Sequence, residues 1–123
     1  MTEETQYPCY TATKKTNSFL ALRISNTRQY FLPYHHLLAG EVNIEESGGI
    51  KTEYITLEFA AHVARIEGSN LSQLVADLRE MKVRTMRILP ESRNSLNAKM
   101  LESSARVTLI DVAYRHDDNQ RST

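Results

Sequence analysis

The sequence predicts an α+β fold, a mostly antiparallel sheet or partly open small barrel packed against one principal helix. Three observations carry this. Leu71, Leu74, Val75, Leu78 and Met81 recur at the helical repeat and form one apolar stripe. Upstream, Ile55, Leu57 and Phe59 alternate with Tyr54, Thr56 and Glu58, the two-residue period of a strand with one wet face. Turn chemistry, as at Ser25-Asn26-Thr27-Arg28 and Glu46-Ser47-Gly48-Gly49, separates further alternating runs.

The chain has 123 residues, 41% of them apolar, which is material for one core. The expected organisation is a flexible N-terminal arm over residues 1–17, a single α+β domain over 18–115 and a flexible tail over 116–123. The arm is polar, with Tyr7, Pro8 and Tyr10 as its only sizeable anchors, and the tail has no apolar anchor.

In chain order, residues 19–25 place Leu20, Leu22 and Ile24 on one face of a strand, and the following turn leads into residues 29–32 as a hairpin. Pro33 cannot donate a ladder hydrogen bond, so that second strand is an edge or ends there. Alternation resumes over 38–45, where Gly40, Val42 and Ile44 share a face and Gly40 marks a bulge or a close backbone approach. Gly48-Gly49 then closes a hairpin with the strand that begins near Lys51.

Residues 58–67 support two readings. In the preferred one Ala60-Ala61 is a tight connection and 62–67 a second strand. In the other, 58–67 is a helix stopped by Gly68, and helix-turn-helix results. The principal helix follows, with Asn70 placed to cap its free N–H groups, Gln73 at the capping-box position, and Arg79, Lys82 and Arg84 near its negative end. Isolated helices of about a dozen residues are marginal in water, so the leucine stripe must cover a sheet.

Residues 83–89 alternate again before Pro90, with Val83, Thr85 and Arg87 on one face and Arg84, Met86 and Ile88 on the other. Leu96, Met100 and Leu101 give 91–105 the spacing of a short amphipathic helix or a partly ordered connection. Residues 107–114 are apolar on both alternations except at Asp111, so that strand needs cover on both faces.

Chemistry is weakly signalled. His35 and His36 are adjacent, and neighbouring strand positions point to opposite faces, so they are poorly placed to share a metal. Cys9 and the serines lack a nucleophile motif, and Glu41, Glu45, Glu58 and Glu67 read as a solvated face rather than an acid-base pair. Glycine-rich phosphate loops are missing, so no catalytic residue, cofactor or metal is assigned. Fifteen basic and fifteen acidic side chains cancel, which disfavours generic polyanion binding. One cysteine, no membrane-length apolar run and no leader-like charge pattern make the cytoplasm the expected compartment and the membrane an unexpected partner.

Three functions therefore compete. A noncatalytic module acting through protein contact or homo-oligomer formation comes first, with Val107, Leu109, Ile110, Val112 and Tyr114 as its self-association surface. A nucleic-acid binder comes second, using Arg79, Lys82, Arg84 and Arg87, with Asn70, Ser72 and Gln73 as groove contacts if the helix-turn-helix forms. A small enzyme without a recognisable motif comes third.

Overall fold

The computed structural model describes residues 4–88 and 105–115. Among the described residues, nine strands, a 3-10 turn and one α-helix make two mostly antiparallel sheets over a shared core. The first sheet contains β1 (Glu4–Gln6), β2 (Tyr10–Thr13), β3 (Phe19–Ser25), β4 (Arg28–Pro33) and β8 (Val83–Arg87), in the order β1-β2-β8-β3-β4. The second contains β5 (Leu37–Ser47), β6 (Ile50–Phe59), β7 (His62–Ser69) and β9 (Arg106–Tyr114), in the order β5-β6-β7-β9. The sheets do not close into a barrel. Helix α1 (Ser72–Arg79) lies between β7 and β8 in sequence.

Both sheets and the helix feed one cluster. Tyr10, Leu20, Leu22 and Met86 enter from the first sheet, Ile55, Phe59, Ile66 and Val107 from the second, and Leu74 and Leu78 from α1. The hairpins at 25–28 and 47–50 form as their turn residues dictate, with Gly48 and Gly49 at φ 58° and 79°, where a side chain would be strained. β4 ends at Pro33 and is an edge strand. Residues 58–67 follow the strand reading: β6 runs to Phe59, turns through Ala60-Ala61 and returns as β7, which removes the helix-turn-helix.

Several expectations are corrected. The arm over 1–17 is not loose throughout, because β2 is buried along its whole length between β1 and the central strand β8. The buried Thr13 hydroxyl is accommodated by a hydrogen bond, Thr13 Oγ1 donating to the Lys15 carbonyl at 2.6 Å. Val83 and Met86, expected on opposite faces, are both fully buried, because the β2-β8 register shifts between Thr11 and Ala12 and leaves Arg84 unmatched.

The helix is capped from elsewhere in the chain. Asn70 sits at φ 55°, and the N-cap position falls to Leu71, whose side chain makes no capping hydrogen bond. Instead the Glu53 carboxylate, on β6, accepts from the Asn70 N–H at 2.9 Å and the Leu71 N–H at 3.1 Å. Gln73 donates to Asp77 Oδ1 at 3.3 Å rather than completing a capping box. The candidate helix over 91–105 and the tail over 116–123 lie outside the described residues, apart from buried Ala105.

Two phenols tie the layers together. Tyr34 donates to the Val83 carbonyl at 2.6 Å, and Tyr10 to Asp77 Oδ2 at 3.0 Å. Burial raises both phenols well above the ordinary value, with the Asp77 carboxylate adding to the shift at Tyr10.

Candidate functional site

Among the described residues β5 is a terminal strand hydrogen-bonded only through β6, so alternate backbone N–H and C=O groups along its other side point away from the sheet. Register fixes its faces. Gly40 and Val42 stand opposite Leu57 and Ile55, whose side chains enter the core, so Gly40, Val42 and Ile44 share the inner face. Glu41, Asn43 and Glu45 take the outer one. Leu37 packs on the core, but a register shift between Leu37 and Ala39 follows it, and every later residue of β5 is exposed.

The exposure has a structural cause. Among the described residues the helical layer here is the eight-residue α1, whose Val75 and Leu78 face Ile55 and Leu57 of β6 and Gly40 and Val42 of β5 across a gap. Between them lies a cleft of about 320 Å³, walled by Leu37, Gly40, Glu41, Val42, Ile55 and Leu57 on the sheet side and by Val75, Leu78 and Arg79 on the helix side. Its lining is mostly apolar. Farther out, Val42 is 43% exposed and Ile44 59%, although both lie on the face that the rest of the sheet buries.

The balanced total charge conceals a segregation between the sheets. Strands of the first sheet carry Arg23, Arg28, Arg84 and Arg87 against Glu4, whereas strands of the second carry Glu41, Glu45, Glu46, Glu53, Glu58, Glu67 and Asp111 against Lys51, Arg65 and Arg106. On the outer face beside β5, the Tyr54 hydroxyl donates to Glu45 Oε1 at 3.3 Å. Desolvation, then the Glu45 and Glu67 carboxylates, push that phenol above its ordinary value.

The surface expected on β9 divides. Val107 and Ile110 are buried, and Val112 packs against the core, so the fold itself covers three of the five residues. A shift in the β7-β9 register between Glu67 and Gly68 turns Val107 to the same face as Ile110. Leu109 and Tyr114 remain exposed. Even the free edge of β9 is occupied at its start, where the Val107 N–H donates to Cys9 Sγ at 3.1 Å.

The four expected nucleic-acid contacts do not converge. Arg79 lines the cleft, Lys82 pairs with Glu80 at 2.9 Å, Arg84 pairs with Glu4, and Arg87 donates to the Tyr7 carbonyl at 3.1 Å. Mutual attraction raises the Lys82 pKa and lowers that of Glu80. Asn70, Ser72 and Gln73 belong to the start of a helix that no preceding helix supports. Glu41, Glu45, Glu58 and Glu67 share the outer face of the second sheet, and no two of them are register partners. His35 and His36 are exposed in the 3-10 turn with rings 5.5 Å apart, and among the described residues no three His, Cys, Asp or Glu side chains are grouped as metal ligands.

A second exposed patch lies on the first sheet. Phe19 and Phe31, 51% and 63% exposed, flank Ala21 beside Arg84 and Thr85. Among the described residues no helix is long and apolar enough to cross a membrane. Comparison with protein-family models, curated proteins and solved structures found no significant match to this chain.

Proposed function

We propose that the chain is a noncatalytic interaction module that receives an extended segment of another protein chain along β5. The observation that carries this is the coincidence, among the described residues, of an open edge with an uncovered inner face: Gly40 and Val42 lie beside unpaired backbone groups and open into the apolar cleft under α1, and Ile44 stands exposed on the same face beyond it. An added strand would satisfy the backbone groups and cover the side chains together. Fully burying a Val or Ile side chain is worth about 1.5 to 3 kcal/mol, so covering the exposed parts of Val42 and Ile44 contributes about 1 kcal/mol each.

The test is selection from a random heptapeptide library on the folded protein. Enriched peptides should shift the backbone amide signals of residues 38–46 and lose binding to Val42→Lys/Ile44→Lys, which places inward-facing charges on an already exposed edge. Peptides that ignore this variant would remove the proposal. A second reading, single-stranded nucleic acid on the first sheet, is favoured by Phe19 and Phe31 standing exposed among arginines. It requires salt-sensitive oligonucleotide binding that Phe19→Ala/Phe31→Ala abolishes and the β5 variant leaves alone.

A further inference from the structure

We infer that the segment received by β5 alternates apolar residues with lysine or arginine, and that a second copy of this chain is excluded. The inference rests on the strand-addition proposal and adds the chemistry of the partner. β5 carries Glu41, Glu45 and Glu46 and no cation. Across β6 the register partners of Glu41 and Glu45 are Thr56 and Thr52, so neither glutamate faces an opposite charge within the hairpin. A strand added on the free side places one alternation beside these glutamates, where cations are favoured. Its other alternation lies beside Gly40, Val42 and Ile44. That side opens into the cleft, whose lining is mostly apolar through Val42, Ile55, Leu57, Val75 and Leu78, so an apolar residue fits there.

The same pattern excludes self-pairing. Two antiparallel copies of β5 that keep Val42 and Ile44 on the inner face must match even-numbered residues with even and odd with odd. Centre the two-fold axis on any residue from 41 to 45, and Glu41 or Glu45 falls directly opposite, or diagonal to, one of these glutamates in the other copy. Opposed like charges are destabilising, and diagonal neighbours about 7 to 8 Å apart remain within reach of long side chains. The glutamates thus guard an otherwise adhesive edge against its own kind.

The experiment uses the full chain and three fluorescent seven-residue peptides in which valine alternates with lysine, glutamate or threonine, followed by anisotropy at low ionic strength. The lysine peptide should bind at least about tenfold more tightly than the glutamate peptide, with a gap that narrows as salt screens the charges. Glu41→Lys/Glu45→Lys should reverse the order, and Val42→Lys/Ile44→Lys should weaken all binding. If the threonine peptide matches the lysine peptide, or charge reversal leaves the order unchanged, charge selection is overturned while strand addition survives. If no peptide binds, or binding ignores Val42→Lys/Ile44→Lys, strand addition itself fails. Sedimentation supplies the remaining outcome, since a wild-type dimer dissolved by Val42→Lys/Ile44→Lys would overturn the exclusion of a second copy.

Discussion

β9 and β5 bound the same four-stranded sheet, β9 with Val107 and Ile110 almost wholly buried and β5 exposed from Leu38 to its end. β9 is apolar on both alternations, the composition expected of a strand needing outside cover, yet its inner face meets the core and its Val107 amide is held by Cys9. β5 has fewer apolar residues, but the layer above it stops short. Exposure at a sheet edge is set here by where the opposing layer ends, more than by how many apolar residues the strand contains.

The sharpest way to break this comparison is through Gly68. A Cβ there would stand 1.9 Å from the Arg106 carbonyl oxygen, so Gly68→Ala must push β9 away from β7. The expected loss exceeds about 4 kcal/mol, the exceptional end for single substitutions, measured by urea denaturation. A loss below about 1 kcal/mol would show that β9 is not held so closely. Next, Ile110→Ala should cost about 3 kcal/mol, whereas Ile44→Ala should change stability by less than about 0.5 kcal/mol. Equal losses would erase the contrast between the strands. The smallest effect concerns the cover that stops short: Glu53→Ala removes the acceptor at the start of α1 and should cost about 1 kcal/mol, with Glu53→Gln, which keeps one carbonyl oxygen, losing less. Unchanged helix content and stability would remove Glu53 as the cap.

Local patterns made much of the fold legible. Leu71, Leu74 and Leu78 announce a helix, Ile55, Leu57 and Phe59 a one-sided strand, and Gly48-Gly49 a tight turn, because each is decided within a few residues. What failed depended on distant partners. β2 was hidden by its threonines, although Tyr10, Thr11 and Thr13 are good strand formers; its burial comes from β8, far along the chain. The Glu53 cap could not be read beside Asn70, since the acceptor lies on another strand. Of the candidate site, the alternation of Gly40, Val42 and Ile44 was visible, but their exposure was not, because exposure depends on the reach of α1.

The insertion of β8 between β2 and β3 also brings together segments made far apart in synthesis. β3 and β4 can pair as soon as both are made, and β5, β6 and β7 form a meander from consecutive segments. β2 must wait, for its only other neighbour is the three-residue β1, and its place beside β3 is taken by a strand from the far side of the helix. On a ribosome, the early apolar residues Tyr10, Leu20 and Leu22 therefore emerge well before their final neighbour. Such long-range closure slows folding and prolongs exposure of unpaired strands. The first sheet, begun earliest in synthesis, receives its central strand only after β5, β6 and β7 have been made.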